Sequence, residues 1–386
     1  MRAFSTTSWP NVVFGDDVSK NTGRLLKESG VTKVMVVFDR GIFEAGIVTP
    51  ILNVIDTEGI EIVEFGKALP DPPDTVIEEG ALLANSQNID GILGIGGGSS
   101  MDTAKVIAVY RHCEPPLNQY YDGAAKGNPN FKTRRDATLI LIPTTSGTGA
   151  EMTAGGVITD TTANAKRSFP SMKAQADLAI LDPVLTLGLP PHITATTGMD
   201  ALCQAVECMT SNRRNVRTDM ICGYVIENIW RYLPIAWENG DDLEARGVLM
   251  NAANLSLSNG GATNMGHAIA TAMGGRLNIV HGHACALVLP EQVRFVADVA
   301  DREIRIIAQK IGLNPKSVNI ADDVALEINK LLKKFDIKTP KEMGISKNDF
   351  LSISDEIFGA QSFFFTRMDK MPTEDEMKKI LIRIFG

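Results

Sequence analysis

The chain has 386 residues, a length that predicts more than one hydrophobic core and therefore two domains. Hydrophobic residues make up 44% and charged residues 22% of the chain, which is the composition of a globular protein, and the formal net charge is −8. An acidic chain without a basic run argues against nucleic acid or an anionic membrane as a partner. No apolar run reaches the roughly 20 residues of a membrane span, and the N-terminal stretch lacks the apolar segment of a secretory signal.

The cysteines bear on the redox compartment. Their number is odd, and no two of them form a C-x-x-C pair. Paired disulfides are therefore not expected, and the predicted location is the reducing cytoplasm. The five positions are Cys113, Cys203, Cys208, Cys222 and Cys285.

The first half of the chain alternates short apolar runs with amphipathic stretches. Runs dense in β-branched residues predict strands at 31–39, 59–65, 88–98 and 137–145. Stretches with helical spacing lie at 18–30, 43–59 and 73–87. This alternation of near-continuous apolar strands with helices predicts an α/β domain with a doubly wound, mostly parallel, Rossmann-like sheet.

The character of the sequence changes after residue 191. From about Ile193 onwards strand-like runs nearly vanish, and the apolar positions follow helical spacing. Clear helical stretches lie at 218–234, 321–335 and 374–385. The sequence therefore predicts two domains, an α/β domain over 1–185 and an all-α domain over 186–386, with the boundary near Asp182-Pro183.

The stretch GIGGGSSMDTAK (94–105) follows a predicted strand and opens a predicted helix. Gly96, Gly97 and Gly98 let backbone amides approach a ligand, and Ser99 is expected to cap the helix. Because a helix N-terminus also attracts negative charge, the stretch predicts a pyrophosphate site, although it is not the G-x-G-x-x-G fingerprint. A tight structural turn is the alternative.

Two further features suit a nucleotide. Asp39 ends a predicted strand, where a carboxylate can accept a hydrogen bond from a ribose and repel a 2′-phosphate; a helix N-cap is the alternative. The stretch IPTTSGTGAE (142–151) is a second turn after a strand. Its hydroxyls at Thr144, Thr145 and Thr148 are candidates for nucleotide contacts, with a plain loop as the alternative.

Three of the five histidines, His267, His281 and His283, fall within residues 266–284. The predicted helix TTGMDALCQAVE carries Asp200 and Gln204 four residues apart on one face. Together with Asp200, the imidazoles of His267 and His281 form a set suited to a divalent transition metal. Hydrogen-bonded structural histidines are the alternative.

Four motifs, taken in order, resemble those of one family. GGGSSMDTAK, PTTSGTGAE, TGMDALCQAVE and HGHACALVLP are similar to motifs of the iron-containing (group III) alcohol dehydrogenases, and the resemblance runs from about Asn11 to the C-terminus. It implies that family's architecture, which is shared with dehydroquinate synthase: a Rossmann-like α/β domain followed by a helical one. It also implies NAD and one divalent metal, iron or zinc, as cofactors.

The resemblance also assigns individual residues. Asp39 matches the acidic residue that favours NAD over NADP, and Asp71 stands where the family usually has an asparagine at the cofactor. Asp200, His267 and His281 match three of the family's four metal ligands. The other matching cofactor-binding positions are Gly97, Gly98, Ser99, Asp102, Thr144, Thr145, Thr148 and Lys166.

Two positions depart from the family's pattern. Gln204 replaces the fourth ligand, a histidine, and an amide carbonyl is a weaker donor to a transition metal than imidazole. Three strong ligands and a weak fourth resemble a catalytic zinc site with an open position, which weakens the case for iron. Thr271 replaces a histidine close to the nicotinamide. The candidates for the proton relay are therefore a metal-bound water, His283 and the Thr271 hydroxyl.

The function expected from the resemblance is that of an NAD-dependent alcohol dehydrogenase or aldehyde reductase. A divalent metal would act as Lewis acid on a small alcohol or aldehyde in the cleft between the domains. The residues expected at the reaction are His267, His281, Thr271 and His283. A homodimer is implied by the family. Two alternatives are a dehydroquinate synthase-like lyase, against which the lack of basic clusters counts, and a non-catalytic NAD-binding relative that has lost its metal.

Overall fold

The structure, a computed structural model, describes residues 9–123, 135–257 and 261–386. The first eight residues, part of the stretch tested for a secretory signal, lie outside the described residues. The chain divides into two compact units, Ser8–Leu187 and Gly188–Gly386. The division expected from the sequence lies two residues before this one, and the assignment of a cofactor to each domain remains a prediction.

A parallel sheet forms the centre of the first unit. Its described strands are β1 (Asn11–Phe14), β2 (Lys33–Asp39), β3 (Glu61–Ala68), β4 (Gly91–Gly96), β5 (Thr138–Pro143), β6 (Gly156–Asp160), β7 (Ala165–Phe169) and β8 (Leu178–Leu181). Six of them form the sheet in the order β1-β8-β5-β4-β2-β3, with every pairing parallel, and β6 pairs with β7 as an antiparallel hairpin. The predicted α/β fold class is confirmed.

Helices cover both faces of this sheet. They are α1 (Thr22–Glu28), α2 (Arg40–Glu44), α3 (Val48–Thr57), α4 (Asp74–Ser86) and α5 (Gly98–Tyr110). Strand β2 explains why, because Met35 and Val37 pack in one buried cluster with α4 and α5, whereas Val34 and Val36 pack in another with α1 and α3. A strand buried on both faces reads as a continuous apolar run, which is how the sequence revealed it.

Four strands were not predicted. Strands β1 and β8 have only four residues each, which is too short for a pattern to stand out, and β1 leaves Val12 and Phe14 exposed. Strands β6 and β7 have five residues each, and most of these are only partly buried. Because β7 carries Lys166, Arg167 and Ser168, the hairpin lacks an apolar run. The predicted set of four strands was therefore incomplete.

The described residues of the second unit form helices joined by turns and loops and no strand, as predicted. Its helices are α6 (Pro191–Thr210), α7 (Val216–Glu238), α8 (Leu243–Ser256), α9 (Met265–Leu277), α10 (His281–Val296), α11 (Asp301–Lys310), α12 (Ile320–Lys334), α13 (Lys347–Leu351), α14 (Ser354–Phe358) and α15 (Glu374–Phe385). Short 3₁₀ helices in the two units are Val18–Asn21, Leu117–Gly123, Ala150–Met152, Met172–Ala174, Pro183–Thr186 and Ser362–Arg367.

Helix α6 runs through the core of this unit. It packs against α7, α8 and α10, so nearly every residue from Thr194 to Thr210 is buried. Its polar residues Asp200, Gln204 and Glu207 are at most 3% exposed. Because a buried polar group is costly unless it finds a partner, these three side chains mark the part of the unit that requires a chemical explanation.

All five cysteines are free, as predicted, and all except Cys113 are buried. Among the described residues, no helix is both long and apolar enough to cross a bilayer.

Candidate functional site

The glycine loop of the first unit joins β4 to α5 through a conformation that needs glycine. Gly96 has φ 139°, and a Cβ on Gly98 would lie 2.8 Å from Cγ2 of Thr148. The N-cap of α5 is Gly97, and no side chain caps the helix. The first backbone amides of a long helix are thereby left for an anion, which fits the predicted pyrophosphate site.

Ser99 does not have the capping role expected from the sequence. It lies inside α5, and its Oγ accepts a hydrogen bond from the backbone amide of Asp71 at 3.3 Å. Gly97 occupies the N-cap because β4 ends at Gly96 and α5 already begins at Gly98, earlier than the pattern suggested. The prediction that Ser99 meets the cofactor is separate, and it stays a prediction.

The Asp39 carboxylate lies beside this loop with both oxygens engaged. Oδ1 accepts a hydrogen bond from the backbone amide of Ile42 at 3.1 Å, which makes Asp39 the N-cap of α2. Oδ2 accepts from the hydroxyl of Ser100 at 3.1 Å, and it lies near Gly96. The side chain is only partly buried. The capping alternative is therefore realised, and the carboxylate also stands next to the predicted nucleotide loop.

The threonines after β5 reach the same loop. The Thr144 amide donates to the carbonyl oxygen of Gly96 at 3.0 Å, while Thr145 and Thr148 are the side chains nearest to the positions where Gly97 and Gly98 would carry a Cβ. Predicted contacts from two separate turns thus converge at one edge of the sheet.

Ser146, between these threonines, was missed by sequence reasoning. Its buried Oγ has no hydrogen-bond partner among the described residues. A buried hydroxyl of this kind calls for a ligand or water, because desolvation without a partner is unfavourable. The only signal in the sequence was its position inside the threonine turn.

Two predicted cofactor residues, Asp71 and Lys166, form an ion pair. Lys166 Nζ lies 2.7 Å from Asp71 Oδ1, and the lysine side chain is 10% exposed. Asp71 has φ 49°, in the left-handed region that asparagine and aspartate tolerate better than other side chains. This backbone conformation explains why aspartate can stand here in place of the asparagine that is usual in the family.

Asp102 has structural partners. Its Oδ1 accepts from Lys105 Nζ at 2.9 Å, and its Oδ2 accepts from the backbone amide of Val157 at 2.8 Å. Lys105 is fully buried, so this carboxylate balances a charge inside the unit. A contact between Asp102 and the cofactor stays a prediction.

In the helical unit, three residues predicted as metal ligands lie together. Asp200 is on α6, His267 on α9 and His281 on α10. Asp200 Oδ1 lies 3.5 Å from His267 Nε2 and 3.8 Å from His281 Nε2. Helix α6 and the consecutive helices α9 and α10 thus direct one carboxylate oxygen and two imidazole nitrogens to the same point.

Cys285 completes this cluster and was missed by sequence reasoning. Its Sγ lies 3.6 Å from His281 Nε2 and 4.0 Å from His267 Nε2, and all four ligand atoms lie within 4.8 Å of one another. The available signal was the spacing of four residues between His281 and Cys285, which puts both on one face of α10.

The donor set fits a divalent metal. Asp200 Oδ1 is buried and, among the described residues, has no hydrogen-bond partner. A tetrahedral metal with bonds of about 2.0–2.3 Å separates its ligand atoms by roughly 3.3–3.7 Å, which is close to the spacing seen here. A cation at this point would stabilise the unpartnered oxygen and accept lone pairs from both imidazoles.

Glu207 positions His267 and was also missed. This fully buried carboxylate contacts His267 Nδ1 through Oε2, and its Oε1 accepts from the backbone amides of Asn264 and His267, each at 3.0 Å. A carboxylate on Nδ1 keeps the proton there and leaves the Nε2 lone pair for a metal. Glu207 is the last residue of the quoted motif, seven positions after Asp200.

The charges in this cluster move the pKa values of its members. Burial alone would raise the pKa of Asp200, but His267 and His281 hold it below its ordinary value. Burial would lower the pKa of His267, yet Glu207 and Asp200 raise it well above the usual range. Without a metal, therefore, Asp200 and His267 form a buried ion pair.

Gln204 and His283 have other partners. The Gln204 carbonyl oxygen accepts a hydrogen bond from the Ser256 hydroxyl on α8, and the residue is 3% exposed. His283 Nε2 lies 2.7 Å from the carbonyl oxygen of Lys338, to which it donates. Thr271 lies partly buried on α9, one helical turn after His267. The roles predicted for these three residues stay predictions.

A glycine loop on a parallel sheet and a buried carboxylate–imidazole cluster define the class, a metal-dependent dehydrogenase with a dinucleotide cofactor. The profile of iron-containing alcohol dehydrogenase matches residues 10–183, and that of the Fe-containing alcohol dehydrogenase family, C-terminal, matches residues 194–385. The chain belongs to the iron-containing alcohol dehydrogenase family.

Individual relatives agree with this. Choline dehydrogenase of Bacillus subtilis (strain 168) is 33% identical over 362 residues, which are 92% of this chain and 89% of that protein. NAD-dependent methanol dehydrogenase of Bacillus methanolicus is 30% identical over 356 residues, 90% and 92% of the two chains. A solved structure of 1,3-propanediol oxidoreductase is 28% identical, with a TM-score of 0.92 and complete coverage of both chains.

The chain is accordingly an oxidoreductase that acts on the CH–OH group of small molecules, with NAD and a divalent metal as its cofactors. The function, cofactors and architecture expected from the resemblance are confirmed, and the lyase alternative is set aside.

Proposed function

We propose that this chain interconverts a small primary alcohol and its aldehyde, with NAD bound by the α/β domain (1–185) and the metal bound by the helical domain (186–386). The observation that carries the proposal is the buried Asp200 Oδ1, which lacks a hydrogen-bond partner among the described residues and faces Nε2 of His267 and His281. An arrangement of this kind makes chemical sense when a cation completes it.

Asp200, His267 and His281 would hold the metal, and Glu207 holds His267 in the tautomer that coordinates. When bound, the metal supplies Lewis acidity at the alcohol or carbonyl oxygen. Gln204 is the fourth ligand predicted from the sequence, but its carbonyl already accepts a hydrogen bond from Ser256.

The dinucleotide, which supplies the hydride acceptor, would be held by the loop after β4. The amides of Gly97 and Gly98 at the open end of α5 bind the pyrophosphate, and Thr145 and Thr148 line the same loop. Asp39 faces the ribose and disfavours a 2′-phosphate through like-charge repulsion.

Thr271 is the proposed first group of the proton relay. It lies on α9 one turn after His267, and a hydroxyl can both accept and donate a proton. His283 is the weaker candidate, because its Nε2–H is directed to the Lys338 carbonyl.

The test is to measure metal content and turnover of the wild type, His281→Ala and His283→Ala. Alcohols are offered with NAD⁺ and aldehydes with NADH, and the panel includes choline, methanol and 1,3-propanediol because relatives are named for them. Loss of both metal and turnover is expected in His281→Ala, whereas His283→Ala should keep its metal. Wild-type activity in His281→Ala would overturn the metal assignment.

Two broader expectations accompany the proposal. Five free thiols fit a reducing compartment, so we place the protein in the cytoplasm. A homo-oligomer, in the simplest form a homodimer, is proposed from the family resemblance, and sedimentation equilibrium tests it.

A further inference from the structure

We propose that Cys285 is a thiolate ligand of the metal, so that the site is Asp–His–His–Cys rather than a set completed by the Gln204 amide. The substrate oxygen would then bind as a fifth ligand, since a catalytic zinc site can expand to five-coordinate. This inference rests on the proposed metal site. It supplies a strong fourth ligand, where the replacement of the family's histidine by Gln204 left only a weak donor. Zinc fits such a set, because it binds thiolate, imidazole and carboxylate together in a tetrahedral arrangement.

The distances around Cys285 support coordination. A zinc–sulfur bond of about 2.3 Å and zinc–nitrogen bonds of about 2.0–2.1 Å put sulfur and nitrogen roughly 3.6 Å apart in a tetrahedron. Sγ lies 3.6 Å from His281 Nε2 and 4.0 Å from His267 Nε2. The thiol thus faces the same Nε2 atoms that face Asp200.

Helix geometry fixes the thiol in this place. His281 and Cys285 are four residues apart on α10, and therefore on the same face of one helix. Cys285 is fully buried, so it has no competing position in solvent. A pair of ligands on one rigid helix is held more accurately than ligands on loops.

Gln204 is placed differently. Its carbonyl oxygen, the only atom that could coordinate, accepts the hydroxyl hydrogen of Ser256 on α8. One lone pair of this oxygen is therefore engaged in the core, and the Ser256 hydroxyl that engages it also lies 2.7 Å from the Ala253 carbonyl oxygen.

Cys203 provides the internal comparison. It is also fully buried, and its Sγ, Glu207 and His267 form a second close group. In that group, however, both oxygens of Glu207 are already engaged, by His267 Nδ1 and by two backbone amides. The group containing Asp200 instead has an oxygen with no hydrogen bond, so the cation belongs there.

Cobalt(II) substitution tests this assignment independently of activity, because a cobalt–thiolate bond gives a near-ultraviolet charge-transfer band. The band is expected in the wild type, in Cys203→Ser and in Gln204→Ala, and should be absent in Cys285→Ser. A band that persists in Cys285→Ser, or that disappears in Cys203→Ser instead, would overturn the assignment. Cobalt bound without a band in the wild type refutes the thiolate alone, whereas no cobalt binding at all refutes the proposed metal site as well.

A second measurement needs no variant and so does not depend on whether Cys285→Ser folds. X-ray absorption of the zinc-loaded wild type should contain one sulfur scatterer at about 2.3 Å, and a shell of nitrogen and oxygen alone would overturn the proposal. In chelator competition, Cys285→Ser should lose zinc affinity by more than about 100-fold, because even residues outside the ligand shell contribute about 10–100-fold. Equal zinc affinities in Cys285→Ser and the wild type would overturn it.

Discussion

Single side chains at both sites serve structure and chemistry together. Asp39 caps α2 and accepts a hydrogen bond from Ser100, yet it is also the residue proposed to select NAD. Glu207 satisfies two backbone amides while it orients His267. Substitutions at such residues must therefore be designed to separate the two roles.

Removing the charge of Asp39 should shift the cofactor preference towards NADP. The ratio of kcat/KM for NADP to that for NAD should rise about tenfold or more in Asp39→Asn, equivalent to about 1.4 kcal/mol, because like-charge repulsion of the 2′-phosphate is lost. Asp39→Gly should show a similar shift and lose in addition a few tenths of a kcal/mol of stability with the cap. An unchanged ratio in both variants would remove Asp39 from its proposed role.

Replacing Glu207 by glutamine should weaken metal binding by about 10–100-fold, the usual effect of a lost partner on a metal-bound histidine. The amide oxygen cannot accept from both backbone amides and also from Nδ1, so His267 loses the tautomer that leaves Nε2 unprotonated. Chelator-competed zinc titration measures the change.

The matched control for Glu207 is Glu291→Gln. Glu291 is likewise a buried glutamate of the helical unit, but it pairs with Arg294 and Arg383. Its substitution should leave zinc affinity unchanged. Equal affinities in the two variants would show that Glu207 does not act on the metal.

At the scale of elements, the metal cluster depends on how closely α10 approaches α6. A Cβ on Gly282 would lie 2.2 Å from the backbone carbonyl oxygen of Thr196, which is one turn before Asp200. Backbone cannot move aside as a flexible side chain can. Gly282 therefore sets the distance between the helix that carries Asp200 and the helix that carries His281 and Cys285.

Gly282→Ala should accordingly lower the free energy of unfolding by about 1–3 kcal/mol, the usual penalty for overpacking, and weaken zinc binding at the same time. Gly275→Ala is the matched control, because Gly275 lies in α9 with nothing within 4 Å of its Cβ position. That variant should gain roughly 0.5–1 kcal/mol from higher helix propensity. Urea unfolding and zinc titration of both variants decide the matter, and a stable, metal-tight Gly282→Ala would refute the close approach.

The sequence could predict features that depend on one local segment, but not those that depend on packing between helices. The strand at Val34–Val37 and the helices α7, α12 and α15 were found because a single run or period identifies each of them. Cys285 and Glu207 were missed because spacing along one helix does not reveal which face meets another helix. Asp200, His267 and His281 were grouped from their residue types, and the family motifs then supported the group. Spacing alone could not establish it, because Asp200 lies far from both histidines in the chain.

At the scale of the whole molecule, either cofactor should raise the free energy of unfolding, because each binds the folded chain and not the unfolded one. Zinc or NADH at 100 times its Kd should each add about 2.7 kcal/mol. Differential scanning calorimetry with zinc, with NADH and with chelator measures the shifts. His281→Ala should keep the NADH shift and lose that of zinc; a variant that still responds to zinc would indicate another metal site.

In protein from which a chelator has removed the metal, the stability should depend on pH through the buried pair of Asp200 and His267. Asp200, with its lowered pKa, stabilises the fold above its ordinary value of 3.8, and this contribution is lost as the pH falls through the folded value. His267, with its raised pKa, contributes fully below 6.5, and its contribution is lost as the pH rises through the folded value. The difference in stability between wild type and His267→Gln should therefore be largest between pH 3.8 and 6.5. Urea titrations across pH that show no such maximum would contradict the pairing.

The scattered origin of the ligands also has a consequence for biosynthesis. The ribosome synthesises Asp200 long before His267, and His281 and Cys285 follow later still, so no nascent chain that ends before Cys285 contains the complete set. The ion cannot nucleate folding as it does in a zinc finger, whose ligands are close in sequence. Helices α6, α9 and α10 must assemble first, while Asp200 and His267 neutralise each other in the core. We therefore expect the metal to be acquired after these three helices have packed together.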